Sequence, residues 1–196
     1  MENDQQIFDR IVQRRRSFYP KDYLPGRVDD AIIRRMLEHA DRAPTHKRTE
    51  PWRFMVFTGK GLDKLADFQA SCYREVTTAD GTFREDRYQS LLTKPREMSH
   101  IISVAMKRDA AKSVPEWEEL GAVFCAVENM YLTATAYGVG CYLSTGGITP
   151  FEEAKAFFGL EKDDRLCGFL HVGLIAPHDG KVTPRRPLEE KVRWID

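Results

Sequence analysis

The sequence lacks any apolar run of about 20 residues, the length that a helix needs to cross a bilayer. It also lacks an excess of charge of either sign, because 30 basic and 30 acidic side chains cancel. A neutral chain has no overall field that would draw it to nucleic acid or to an anionic membrane. The first residues are charged and contain no apolar signal core, so we expect a cytoplasmic protein.

Cysteine is scarce, and none of the four cysteines belongs to a C-x-x-C pair. Three of them lie in apolar stretches, so we expect buried free thiols of a reducing compartment. No histidine has a His or Cys neighbour at the spacing of zinc ligands, which argues against a metal site. The cysteines are Cys72, Cys125, Cys141 and Cys167.

Several catalytic and nucleotide-binding signatures are also missing. The glycine-rich segment GVGCYLSTGG lacks G-x-G-x-x-G and follows a helix rather than a first strand, so it does not indicate a dinucleotide fold. No G-x-x-x-x-G-K-[ST] loop is present. Ser144 has no G-x-S-x-G surroundings, which removes the usual signal of a serine nucleophile.

What remains is the composition of an ordinary globular protein, 42% hydrophobic and 31% charged. Apolar residues at helical spacing, or in short apolar runs, predict helices and strands that do not alternate strictly. We therefore predict a single α+β domain over residues 1–196. The predicted helices cover residues 4–16, a segment capped by Asp29 and ended by Pro44, and residues 62–73, 114–137 and 150–158; the predicted strands cover 52–58, 101–106, the glycine-rich segment, and 167–175.

The predicted helix over residues 114–137 is apolar on nearly every face. Trp117, Phe124 and Tyr131 belong to its main apolar stripe, and Val123 and Met130 lie off it. A helix without a polar face is either the central helix of a monomer or shared between subunits. We favour a helix at a dimer interface.

Two other segments raise questions. Residues 74–98 are polar and give no clear periodicity, and a charged segment of this length is typical of an excursion over a site. The tail ends in Val192, Trp194 and Ile195. Because a free tail rarely carries a tryptophan, we expect these residues to dock.

Three basic clusters lie beside predicted loops or helix ends: residues 14–17, residues 46–48, and Arg185 with Arg186. Arginine presents a rigid fork of donors that matches phosphate oxygens. Each cluster alone is typical of a solvated surface, but together they favour a phosphorylated ligand. His171 lies inside an apolar run, where a hydrogen-bonded core imidazole is more common than a catalytic one.

Four segments in order give the chain a family resemblance. They are RRRS, APTHKRTEPWRFMVF, GVGCYLSTGG after the long apolar helix, and GFLHVGL. In this combination the sequence resembles the nitroreductase family over nearly its whole length. It is most similar to a compact branch with an Ala-Pro-Asp-His-Lys loop and a central helix that opens with Val-Pro-x-Trp-Glu; here these read APTHK and VPEWE.

The resemblance implies an FMN-dependent oxidoreductase that uses NAD(P)H. It implies a ping-pong reaction in which a hydride passes through flavin N5 to a nitroaromatic, a quinone or another acceptor, without a catalytic side chain. The implied fold has a central mixed, mainly antiparallel sheet flanked by helices, with the long helix at a homodimer interface that holds FMN. The alternatives are another flavin reaction, namely reductive dehalogenation or flavin fragmentation, and a non-catalytic flavin-binding protein that docks a partner through residues 74–98.

The resemblance also assigns flavin contacts to particular positions. The triplet at 15–17 would hold the phosphate and part of the isoalloxazine edge, and the segment 143–145 would lie beside the ring. A tail arginine would reach the phosphate. The implied cofactor-binding residues are Arg15, Arg16, Ser17, Arg42, His46, Leu143, Ser144, Thr145 and Arg185.

Overall fold

A computed structural model describes residues 3–178 and 184–195. Four strands form one sheet in the order β1-β2-β4-β3, and each neighbouring pair is antiparallel. All four predicted strands are confirmed, and so is the α+β class. The family resemblance implied a mixed sheet, but no parallel strand pair occurs among the described residues. The strands are β1 (Trp52–Phe57), β2 (His100–Met106), β3 (Val139–Ser144) and β4 (Arg165–Leu174).

Five α-helices and five short 3-10 turns complete the described chain. Asn3 and Gln6 form a capping box at the start of α1. The Asp29 carboxylate accepts from Ala31 N–H at 2.8 Å, which confirms it as the cap of α2. The helices are α1 (Asp4–Arg14), α2 (Asp30–Ala40), α3 (Lys60–Ala79), α4 (Glu85–Thr93) and α5 (Glu116–Ala136); the 3-10 turns are Pro20–Asp22, His46–Arg48, Lys94–Glu97, Glu152–Phe158 and Leu188–Glu190.

The sheet separates two apolar cores. Every residue of β2 is buried, because alternate side chains enter the two cores. Ile102, Val104 and Met106 join α2 and α5 on one side. Ile101 and Ala105 join α3 and the Glu152–Phe158 turn on the other. The result is a three-layer arrangement in which β4 and β3 reach the edge where the candidate site lies.

Residues 74–98 are largely helical, a structure that their sequence did not predict. Helix α3 continues to Ala79, and α4 follows after a short turn. Phe83, Tyr88 and Leu91 pack against the core on the α3 side. These scattered apolar contacts, rather than a regular stripe, hold the segment against the sheet.

The tail and one cysteine are exposed in the described chain. The tail does not dock on it, because Trp194 is 88% exposed and Ile195 is 85% exposed. Cys125 is exposed, whereas the other three cysteines are buried, and all four are free thiols. Helix α5 buries one face and leaves Trp117 and Phe124 exposed on the other.

Within residues 3–178 and 184–195, no helix is both long enough and apolar enough to span a bilayer.

Candidate functional site

The segment after α1 lies against β3 because a glycine leaves room for it. Phe18 N–H donates to the Cys141 carbonyl at 3.0 Å, which ties this segment to the strand. A Cβ on Gly140 would lie 2.4 Å from Ile175 Cγ2 and 3.0 Å from Phe18 Cβ, so only glycine permits this approach. The backbone thus places residues 15–17 beside the strand that carries Leu143 and Ser144.

Tyr131 of α5 joins three of the implied flavin residues. Leu143 N–H donates to Tyr131 Oη at 2.7 Å, and the Ser17 side chain hydrogen-bonds the same phenol. The Arg15 guanidinium carbon lies 5.3 Å from the centre of the Tyr131 ring, and Arg15 Nε is 3.6 Å from Glu128 Oε1. Burial raises the pKa of the Tyr131 phenol, so it stays neutral near neutral pH.

We call this group of Arg15, Arg16, Ser17, Tyr131 and Leu143 the Tyr131 cluster. The sequence placed Tyr131 only in the apolar stripe of the long helix. A buried tyrosine usually finds a hydrogen-bond partner for its hydroxyl, and that general rule was the available signal.

Arg16 completes the cluster with an unsatisfied donor. Its Nη2 is buried and has no hydrogen-bond partner among the described residues. A buried guanidinium nitrogen without an acceptor is costly, and an anionic oxygen would satisfy it. Arg15 and the Ser17 hydroxyl adjoin it in the chain, and arginine and hydroxyl donors are the groups that phosphate oxygens accept from.

Ser144 and Thr145 line a cleft of about 870 Å³ that begins where β3 ends. Its other walls come from the Pro20–Asp22 turn, from α3 and α4, and from β4. A Cβ on Gly168 of β4 would lie 2.6 Å from the Ser144 carbonyl oxygen, so this glycine, at φ +148°, brings the two strands together here. We call this space the β3 cleft.

His171 also lines the β3 cleft, and it is not the hydrogen-bonded core imidazole that the sequence favoured. Its Nδ1 is buried and has no partner within the described ranges. Burial lowers the pKa of His171 to about 4, so the ring is neutral at neutral pH. The backbone is held firmly, since Tyr23 Oη donates to the His171 carbonyl at 3.0 Å.

The loop of the APTHKR segment lies at the other end of α5. His46 Nδ1 and Glu118 Oε2 are 2.5 Å apart, and Lys47 Nζ donates to the Ser113 carbonyl at 2.8 Å. Lys47 and Arg48 have φ values of 51° and 56°, a left-handed backbone that turns this short loop back on itself.

One chain does not bring this loop to the Tyr131 cluster. About 13 helical residues separate Glu118 from Tyr131, which corresponds to about 20 Å along α5. Arg42 is exposed, and its side chain bonds to no other residue in the described part of the chain. Arg185 is exposed as well. The structure therefore gathers residues 15–17 and 143–145 and leaves His46 at the opposite end of α5. Arg42 and Arg185 are exposed and form no hydrogen bond or ion pair with the Tyr131 cluster among the described residues.

The part of the chain that the structure describes contains no group of three or more His, Cys, Asp or Glu side chains placed to share a metal ion. With no acid–base pair in the β3 cleft either, its residues are suited to binding and orienting a ligand.

Comparisons with known proteins identify the family and the fold. The model of the nitroreductase family matches residues 12–174. YdjA of Escherichia coli (strain K12), named as a candidate NAD(P)H nitroreductase, is 29% identical over 141 residues, which cover 72% of this chain and 74% of that protein.

Solved structures share the fold. A nitroreductase-like family protein from Bacillus cereus is 25% identical and superposes with a TM-score of 0.82, covering 100% of this chain and 99% of that one. The FMN-dependent nitroreductase NfnB from Mycobacterium smegmatis, solved in complex with NADPH, has a TM-score of 0.74 at 18% identity, covering 99% of this chain and 100% of that one.

Proposed function

The chain belongs to the nitroreductase family, and from that premise we propose that it is an FMN-dependent oxidoreductase that carries a hydride from NAD(P)H to an organic acceptor. The acceptor classes that we propose are nitroaromatics and quinones. A structural neighbour named as FMN-dependent and solved with NADPH supports the choice of cofactor and co-substrate. When bound, FMN supplies the redox chemistry, and the protein supplies binding, orientation and electrostatics.

The observation that carries the proposal is the unpartnered donor of Arg16. Its buried Nη2 faces no acceptor in the described chain. Arg15, its neighbour in the chain, lies over the Tyr131 ring, and Ser17 bonds the Tyr131 phenol. This cluster would hold the phosphate, and Leu143, Ser144 and Thr145 would lie along the isoalloxazine ring. Tyr131 fixes the position of both segments, because it bonds Ser17 and the Leu143 backbone.

The residues of the β3 cleft would then orient the acceptor over the ring and exclude water. Hydride transfer depends on close, well-aligned contact between donor and acceptor, so binding geometry contributes more than acid–base groups. The neutral imidazole of His171 would offer a hydrogen-bonding edge without adding a charge.

The proposal includes a homodimer whose two copies share each flavin. Helices α1 and α5 expose large apolar side chains, among them Phe8 (59% exposed) and Trp117 (71% exposed). Apolar surface of this kind is typical of a face that another subunit covers. A second copy would also bring its own His46 toward the Tyr131 cluster, which the separation of about 20 Å within one chain prevents, and its Arg42 would come with the same loop. A micromolar solution should therefore contain dimers when measured by light scattering.

Flavin titration and anaerobic reduction test the proposal. The purified protein should bind added FMN and show an oxidised-flavin spectrum that NADH or NADPH bleaches in the absence of oxygen. Subsequent addition of a nitroaromatic or a quinone should restore the oxidised spectrum. Protein that binds no FMN would refute the proposal. Bound FMN that neither dinucleotide bleaches would instead support a flavin-binding protein without this activity.

A further inference from the structure

Helix α4 and the turn that follows it present one face to the β3 cleft. Arg87, Ser90, Leu91 and Lys94 all line the cleft, and they recur at the three- and four-residue steps of a single helix face. The acidic residues of the same helix, Glu85 and Asp86, do not line the cleft. The wall formed by the polar segment 74–98 is therefore cationic on the side that a ligand meets.

These cations are not neutralised within the described chain, whereas nearby arginines are. Neither Arg87 nor Lys94 forms an ion pair with a described residue, and the same is true of Lys21 on the opposite wall. By contrast, Arg84 Nη2 is 2.7 Å from Asp86 Oδ2, and Arg96 pairs with Asp67. The chain as a whole has no net charge, so the excess of positive side chains in the cleft is not a consequence of its overall composition.

The acidic content of the cleft lining is small. Glu97 is the one carboxylate among the lining residues that the structure describes, against the three cations. His171 adds no positive charge at neutral pH, because burial keeps its pKa low. The cleft lining thus carries two more positive than negative side chains, and their summed field favours an anionic ligand.

Aromatic side chains also line the cleft. Tyr19 and Tyr142 have ring centroids 4.6 Å apart, and both line the cleft together with Tyr73 and Phe169. Aromatic walls favour flat ligands through offset or edge contacts. A flat body and a negative charge at one end are the two properties that this lining would recognise.

Resting on the proposed function, we propose that the β3 cleft selects aromatic acceptors that carry a negative charge, such as aryl carboxylates. Arg87 and Lys94 of the α4 wall, with Lys21 opposite, act as the specificity-determining residues. They hold the anionic end at the mouth while the aromatic body lies against the tyrosines. These residues position the acceptor and take no part in hydride transfer.

Direct binding of unreactive probes tests the charge preference. The protein, supplied with FMN, is titrated calorimetrically with benzoate and with neutral benzamide, which has a similar shape. We expect benzoate to bind at least about fivefold more tightly than benzamide, the scale of one or two exposed charge contacts. The preference should shrink as salt is added, because exposed charges are screened.

The variant Arg87→Gln/Lys94→Gln should reduce benzoate affinity about fivefold to tenfold and leave benzamide unchanged. Arg84→Gln is the matched control, since it removes a charge from the same helical segment outside the cleft. It should alter neither affinity. Equal binding of the two probes, or equal losses in the double variant and the control, would overturn the proposal.

Steady-state kinetics separate the acceptor from the dinucleotide. With NADH as donor, the double variant should raise KM for 4-nitrobenzoate and leave KM for 4-nitrobenzamide unchanged. An increase confined to KM for NADPH would mean that the cations contact the 2′-phosphate of the dinucleotide, which would overturn the assignment to the acceptor. Failure of the protein to oxidise either dinucleotide would refute the proposed function, while the probe titrations would still decide the charge preference.

Discussion

The two ends of α5 use charged side chains in opposite ways. At the end near Glu118 and Glu119, the charges pair with one another, as in the buried contact of Glu119 with Arg108. At the end near Tyr131, the Arg16 donor is buried without a partner and Arg15 makes only a 3.6 Å contact with Glu128. The first arrangement stabilises the folded chain by itself, whereas in our proposal an added anion completes the second.

This difference teaches that a count of basic residues does not locate a binding site. Residues 46–48 also form a cluster of basic residue types, but His46 already pairs with Glu118 at the start of α5 and Lys47 donates to the Ser113 carbonyl. A ligand that reaches His46 must compete with Glu118. A ligand that reaches Arg16 displaces no protein partner from its buried nitrogen, so the larger gain in affinity is expected there.

The largest expected effect is a loss of stability on removal of the buried carboxylate of Glu119, at the end of α5 where the charges are paired. Glu119 is 1% exposed and accepts from Arg108 and from Asp109 N–H, the latter at 2.9 Å. Glu119→Ala should lower the free energy of unfolding by about 3–5 kcal/mol, because Arg108 would lose its buried carboxylate partner, keeping the Val114 carbonyl, and Asp109 N–H would lose its acceptor. Urea denaturation measures the loss. Glu116→Ala, which removes the exposed partner of Arg165, should cost within about 1 kcal/mol. Equal losses in both variants would contradict the account.

The free energy of unfolding should depend on pH through His171, which lines the β3 cleft. Its folded-state pKa is lowered to about 4, so between about pH 6.5 and pH 4 the unfolded chain binds a proton that the folded chain does not. Stability should therefore fall as the pH drops through this range, by up to about 3 kcal/mol from this group. Burial also lowers the pKa of His100, with partial compensation from Asp30.

The variant His171→Gln keeps the contribution of His100 and removes that of His171. Its free energy of unfolding should vary less with pH between about 6.5 and 4 than that of the unmodified protein. Identical pH profiles would show that the His171 imidazole is protonated as readily in the folded chain as in the unfolded one.

Arg15 should matter for FMN rather than for the fold. Among the described residues, its guanidinium contacts the Tyr131 ring and lies 3.6 Å from Glu128. Arg15→Ala should weaken FMN binding by about 1.5–3 kcal/mol through the loss of a charge-assisted contact. Fluorescence titration of FMN measures it, with the exposed Arg34→Ala as a charge-matched control. Unchanged affinity in Arg15→Ala would remove Arg15 from the site.

The smallest effect is expected at His46. The His46 side chain is 56% exposed, so its pair with Glu118 contributes little to stability. His46→Ala should change the free energy of unfolding by less than about 1 kcal/mol and weaken FMN binding by about 1 kcal/mol, less than Arg15→Ala. A loss of affinity larger than that of Arg15→Ala would reverse the proposed ranking of the two ends.

Sequence periodicity predicted the strands well because each one is a short apolar or β-branched run bounded by Gly, Pro or polar residues. It missed the helices of residues 74–98, where Phe83, Tyr88 and Leu91 are separated by charged residues that mask any stripe. The cationic face of Arg87 and Lys94 could be recognised only once α4 was known to be a helix.

The candidate site depended on different information. No local pattern links Arg15 to Leu143, which are distant in the chain, and the family resemblance named both. Neither the resemblance nor the apolar stripe identified Tyr131 as a site residue. In sequence it looks like any packing tyrosine, and only the structure shows that its phenol oxygen accepts from Leu143 N–H.

The central claim is that the Tyr131 cluster of one copy and the Arg42–His46 loop of another hold the same flavin. Subunit complementation tests it most directly. Two differently tagged variants, Arg16→Ala and Arg42→Ala/His46→Ala, are refolded together, and the heterodimer is purified through both tags. If the site is shared between copies, the heterodimer regains one tight FMN site, because one of its two sites then has every residue intact. If FMN binding in the heterodimer stays as weak as in either parent, each site is built within one chain and the claim is wrong.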